Sequence, residues 1–164
     1  MSVVSDTSVL TNLAAIDRLS LLPLLYGTVI VPTAVYRELV DTDVPVPGGV
    51  EVRRASWLEV RSVVNQDVLQ QLQIERRLDP GESEAIALAL AIGAELLLID
   101  ERRGRAEADR RGLKITGLLG ILVEAKQKKL LVAVKPLLDA LIATATFRVS
   151  AALYEQILRM VDEA

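Results

Sequence analysis

The chain has 164 residues, 51% of them hydrophobic and only 3% aromatic, with a formal net charge of −3. That describes one domain with an aliphatic core, few rings on which bases could stack, and none of the overall charge of a generic nucleic-acid-coating protein. Neither Cys nor His occurs, which excludes disulfides, thiolate chemistry, Ser-His triads and the usual zinc sites, so any hydrolysis falls to carboxylates, hydroxyls, Lys, Arg or a bound metal.

Apolar runs and helical patterns alternate along the chain, the signature of an α/β fold. A strand is predicted over 2–6, followed by a helix capped by Thr7 or Ser8 that carries Val9, Leu10, Leu13 and Ile16. A short helix over 19–25 ends at Gly27, a strand covers 28–31, and Pro32-Thr33 opens a helix over 34–40. Residues 41–50, rich in Pro, Gly and Asp, read as a loop. A third strand follows at 57–60 with Trp57 partly buried in it, then a polar helix over 65–78. Asp79-Pro80-Gly81-Glu82 is a helix start, with Asp79 as N-cap, and the helix over 83–92 is apolar nearly all round, hence deeply buried. A strand at 95–99, a helix at 102–111, a short strand at 113–116 and helices at 117–128, 134–145 and 151–161 complete the pattern. The apolar stretch 85–99 is broken by Gly93 and Glu95 and is shorter than the about 20 residues of a membrane span. With no signal-peptide layout at its start, the chain is expected to be cytoplasmic.

Asp6 and Asp100 each end an apolar run that reads as a buried strand. In an open parallel sheet the ligand crevice lies at the carboxyl ends of the strands, and a buried carboxylate needs a partner. Without His or Cys, the partner indicated is a hard cation, Mg²⁺ or Mn²⁺. Ser8 stands where it can orient Asp6; the plain structural alternative for Asp6 is a place in the strand-to-helix turn. Glu38 lies beside the apolar stripe of its helix. Glu82 falls at the capping-box position, which is enough to explain it. Glu84, about 200° further round the helix, has no capping role, so it is read as the ligand and Glu82 as a supporting residue. Glu101 either supports Asp100 or begins the next helix, where an acid suits the dipole. Four acids on four elements that converged would repel each other severely without a cation, and a divalent ion there would bring activation of water for phosphodiester cleavage.

The opening Val4-Ser5-Asp6-Thr7-Ser8, Glu38 within Val35-Tyr36-Arg37-Glu38-Leu39, the run Glu84-Ala85-Ile86-Ala87-Leu88-Ala89, and Ile99-Asp100 together resemble the four ordered acid motifs of PIN-domain nucleases. The resemblance spans about residues 2–125. The phrases Leu78-Asp79-Pro80-Gly81-Glu82 and Leu97-Leu98-Ile99-Asp100-Glu101-Arg102 are similar to a small bacterial and archaeal subgroup related to VapC toxins. The resemblance implies a single three-layer α/β domain over 1–164, with a central parallel sheet of four or five strands between helices. It also implies Mg²⁺- or Mn²⁺-dependent RNA cleavage with Asp6, Glu38, Glu84 and Asp100 as catalytic metal ligands, a homodimer, and a small neutralising antitoxin. The chain departs from the family pattern in having Glu as third acid, Leu98 where a Thr often stands, and a helical extension at about 133–162.

Arg102, Arg103 and Arg105 follow Asp100 closely and are candidates to grip RNA phosphates; interleaved acids also allow a solvated, internally paired helix. The apolar stripes of the last two helices are expected to pack mostly on the core. A PIN-fold RNA-binding or assembly module without catalysis is one rival reading. A phosphatase or receiver-like domain is another, although Ser8 occupies the place of the second acid in an Asp-x-Asp strand end.

Overall fold

β-branched and leucine-rich runs too short for helices form the sheet. The computed structural model describes residues 1–144 and 147–164. In it β1 (Val3–Ser5), β2 (Val29–Pro32), β3 (Leu58–Arg61), β4 (Leu96–Leu98) and β5 (Ile115–Thr116) lie in the order β3-β2-β1-β4-β5. Every pairing is parallel, with Val4 opposite both Ile30 and Leu97. Because side chains alternate along a strand, Val3, Val29, Val31, Leu96 and Leu98 enter the core on one face. Val4, Ile30, Leu97 and Ile99 enter a second core on the other.

Helices cover both faces, as a parallel sheet requires. On the first face lie α1 (Thr7–Ala15), α2 (Leu21–Tyr26), α3 (Thr33–Val40), α8 (Leu118–Gln127), α9 (Lys135–Thr144) and α10 (Ala151–Met160). On the second lie α6 (Pro80–Ile92) and α7 (Arg102–Arg110), together with the segment that continues α5 (Gln66–Gln70). The extension belongs to the main core: Val134, Leu138, Leu141, Ile157 and Val161 pack in the first cluster. Leu153 and Ile142 of the same stripes stay exposed. Glu163 holds the chain end in place by accepting from Lys126 Nζ at 2.8 Å and from the Val134 and Lys135 amides at 2.8 and 2.9 Å.

Three local expectations are corrected. The cap of α1 is Asp6 itself, not Thr7 or Ser8. Residues 41–50 are not loop throughout, because Gly49 and Val50 begin α4 (Gly49–Arg54). That helix is only six residues long and buries Val52 alone, so it leaves no periodic signature. The single helix read over 65–78 is α5 followed by one π-turn, Gln71–Glu75, which delivers Leu72 to the core. It stops before Arg77, whose φ of 55° is left-handed, and Leu78 N–H returns to Leu72 O at 3.1 Å. Elsewhere the boundaries agree within one or two residues, except that the helix read over 83–92 already begins at Pro80, within the predicted helix start; Ala145, read as the end of the helix over 134–145, lies outside the described residues. Among the described residues no helix is long and apolar enough to cross a membrane.

Leu97 on the interior strand β4 is fully buried, whereas Val132 is 96% exposed. Leu97→Ala is expected to lower unfolding free energy by about 2–5 kcal/mol and Val132→Ala by less than about 0.5 kcal/mol. Urea denaturation followed by circular dichroism measures both; equal losses would mean that the sheet is not the core of stability.

Candidate functional site

The order β3-β2-β1-β4-β5 makes the chain reverse direction across the sheet between β1 and β4. At such a switch point the two flanking connections part and leave a crevice at the strand ends. Asp6 stands at that point. Its N–H donates to Leu98 O of β4 at 3.0 Å, and its Oδ1 accepts from Val9 N–H at 3.1 Å as the cap of α1. Ser8 Oγ lies 3.4 and 3.3 Å from the two carboxylate oxygens. Asp6 is only 1% exposed.

Glu38 reaches the same place from α3. Thr7 Oγ1 donates to its Oε2, and the Gly81 N–H supports the carboxylate from the start of α6. A Cβ at Gly81 would lie 2.8 and 2.9 Å from the Glu38 oxygens, so glycine is what lets α6 begin against them. One residue later, Glu82 completes the capping box: its N–H donates to Asp79 Oδ1 at 2.8 Å, and its Oε2 accepts from Asp79 N–H at 3.4 Å. Glu82 is nonetheless turned inward, 8% exposed. Asp6, Thr7, Ser8, Glu38, Asp79, Glu82 and Glu101 line one cavity of about 220 Å³. Glu84 does not line it. Its Oε1 accepts from Ala34 N–H at 3.2 Å, satisfying a free amide in the first turn of α3.

Asp100 follows β4 and accepts from Leu118 N–H at 3.2 Å through Oδ1, at the start of α8. It lines a second cavity of about 540 Å³ with Arg102 and Arg105, and Glu101 lines both cavities. Arg105 donates to Ile99 O at 3.0 Å. A Cβ on Gly117 would lie 2.5 Å from Asp100 Oδ1 and 2.7 Å from Arg105 Nη1. Arg103 points elsewhere: it donates to Arg76 O at 3.0 Å and lines a separate cavity with Glu107. Buried Glu107 is already shared by Arg76, Arg110 and Arg111 at 3.6, 2.7 and 2.9 Å. Sequence reading did not single out Thr7 or Asp79 as site residues, nor Asn12, Phe147 and Arg148, which line the larger cavity. Thr7 carried a signal in its hydroxyl-rich surroundings. Phe147 and Arg148 carried none, being 47 and 48 positions beyond Asp100 in the chain.

Burial raises the Asp6 carboxyl to about 8; Val9 N–H and Ser8 oppose this, while Asp100 and Glu82 add repulsion. Burial also raises Glu82, Glu38 and Asp100, with Arg105 drawing Asp100 partly back. No salt bridge reaches any of these four among the described residues. The donors are all oxygen, which suits a hard divalent cation. Among the described residues, however, no three acids form one coordination sphere. Each has an oxygen engaged by a nearby N–H or O–H.

The raised Asp6 carboxyl sets a pH dependence with a definite sign. Between about 3.8, its unperturbed value, and about 8 the folded protein holds a proton that the unfolded chain has released. Stability of the metal-free protein is therefore expected to fall as pH rises through that window, with a slope approaching about 1.4 kcal/mol per unit for one proton. Urea midpoints at pH 5, 6, 7 and 8 in EDTA should decline for wild type and decline less for Asp6→Asn. Parallel declines would place the titrating group elsewhere.

A family model described as PIN domain matches residues 2–163, nearly the whole chain and including α9 and α10, so the chain belongs to the PIN-domain family. No curated protein matches it.

Proposed function

We propose that this PIN-domain protein is a divalent-metal-dependent endoribonuclease and the toxin of a toxin–antitoxin pair. The observation that carries the nuclease reading is the placement of Asp6, Glu38 and Glu82 around one small cavity at the sheet's switch point, with Asp100 beside it and, among the described residues, no salt bridge to any of them. Our assignment of ligands is Asp6, Glu38, Glu82 and Asp100. It reverses the order in which the sequence ranked Glu82 and Glu84: Glu82 lines the cavity although a capping box takes one of its oxygens, whereas Glu84 lies outside it and serves α3.

Mg²⁺ or Mn²⁺ held there supplies Lewis-acid activation of water and neutralises phosphate charge. The protein groups divide the remaining work. Ser8 and Val9 N–H hold the Asp6 carboxylate in one orientation. Thr7 and Gly81 do the same for Glu38, and Leu118 N–H for Asp100. Arg102 and Arg105 place positive charge on the side of Asp100 away from the acids, where a substrate phosphate is attracted instead of repelled. The toxin role, the small antitoxin partner and a homodimer rest on the similarity of residues 78–82 and 97–102 to the VapC-related subgroup. A second reading, an RNA-binding module without catalysis, is favoured by one observation: the acids stand apart as they are.

Mn²⁺ titration calorimetry on wild type, Asp6→Asn, Glu82→Gln and Glu84→Gln, with cleavage of a structured RNA pool in parallel, separates these readings. Asp6→Asn and Glu82→Gln are expected to weaken Mn²⁺ at least about tenfold and to abolish cleavage, while Glu84→Gln retains both. Full metal-dependent cleavage by Asp6→Asn would overturn the site. Wild type that binds RNA but no Mn²⁺ would move the function to the non-catalytic module.

A further inference from the structure

The cavity of about 540 Å³ beside Asp100 is large for a single phosphate and falls within the usual range for a small-ligand site. Its walls come from distant parts of the chain: Asn12 on α1, Arg102 and Arg105 on α7, and Phe147 and Arg148 immediately before α10. Its three arginines outnumber its two acids, Asp100 and Glu101. Among the described residues, Arg102 and Arg148 make no ion pair and no side-chain hydrogen bond, so their guanidinium groups remain available. Phe147 packs its ring partly against the core, and Leu153 adds a further apolar side chain to the wall. The chain has one Phe, and it lines the cavity that adjoins the acids.

Resting on the nuclease reading, we infer that this cavity is a subsite for one unpaired nucleotide adjoining the scissile phosphate. In it Arg148 and Arg102 bind the phosphate and Phe147 receives the base. The acids and the arginines meet at Asp100 and Glu101, so the cleaved phosphate lies at that junction and its neighbouring nucleotide extends toward α10. A base can reach a recessed aromatic side chain only when it is out of a duplex stack. Phe147 and Arg148, just before α10, therefore set how the strand is seated beside the acids. Arg148 and Phe147 are positioning residues for substrate and have no part in holding the cation.

Binding without cleavage tests this directly. Fluorescence anisotropy in EDTA would use a labelled, unstructured single-stranded RNA oligonucleotide and a fully paired duplex as probes. Arg148→Ala, at an exposed position, is expected to weaken the single strand about tenfold and to reduce the salt slope by about 0.7. Phe147→Leu keeps an apolar side chain in place but loses the ring, and is expected to weaken the single strand about tenfold with duplex affinity unchanged. Arg159→Ala, exposed on α10 outside the cavity, should bind as wild type. Unchanged single-strand affinity in Arg148→Ala and Phe147→Leu, or an equal loss of both probes in Phe147→Leu, overturns the subsite. Mn²⁺ calorimetry on the same variants should match wild type; a wild type that fails to cleave with Mn²⁺ removes the nuclease reading but leaves the binding result standing.

Discussion

Asp6 N–H donates to Leu98 O across the sheet at 3.0 Å, and this bond joins the end of β1 to the end of β4. It extends a parallel ladder in which Val3, Val4 and Ser5 face Leu96, Leu97 and Leu98. The ladder holds its register because both sheet faces are buried: slipping by one residue would exchange the two core faces of each strand. The position of the first acid relative to the fourth is thus set by hydrophobic alternation in two strands more than 90 residues apart. A carboxylate at that position is enclosed by β1, α1 and their neighbours, and the fold tolerates it by keeping it protonated or by providing a countercharge.

The other acids arrive on helices, and glycine governs how closely those helices approach. Gly81 brings the first turn of α6 against Glu38, Gly104 lets α7 lie against Glu82, and Gly117 gives Asp100 and Arg105 room at the start of α8. At each of these positions a methyl group would meet a carboxylate oxygen, together with Thr7 Oγ1 at Gly81, Ile99 Cδ1 at Gly104 and Arg105 Nη1 at Gly117. Each acid is also anchored by a hydrogen bond of its own, which limits its freedom in the absence of any ligand. The same bonds keep mutually repelling carboxylates from closing on one another.

The last two helices do more than cover the first face of the sheet. Val134, Leu138, Leu141, Ile157 and Val161 bind them into the main core, and Glu163 fastens the final turn to the beginning of α9. That packing gives Phe147 and Arg148 a defined place beside Asp100. The charge pattern of the crevice follows from this assembly: acids from β1, α3 and α6 on one side, guanidinium groups from α7 and the approach to α10 on the other.

Alternating apolar runs, turn residues and caps were local, and they showed the strands, most helices and the three-layer α/β class, as well as Asp6 and Asp100 at strand ends. Asp79-Pro80-Gly81-Glu82 announced its helix in the same way, because a capping box is complete within four residues. Short α4 and the π-turn after α5 escaped notice, since one buried side chain in six residues makes no period and the turn is set by where Leu72 must go. The roles of Glu82 and Glu84 could not be separated by spacing alone. Each side chain projects toward whatever neighbour the fold supplies, and α3 supplies an unsatisfied Ala34 N–H to one while the switch-point cavity opens to the other. Phe147 and Arg148 came to line a cavity with Asp100 only through tertiary packing across more than 40 residues of chain. Local sequence therefore determined the elements and the chemical types at their ends, and the tertiary structure decided which of those groups meet, because meeting depends on packing between segments that share no local pattern.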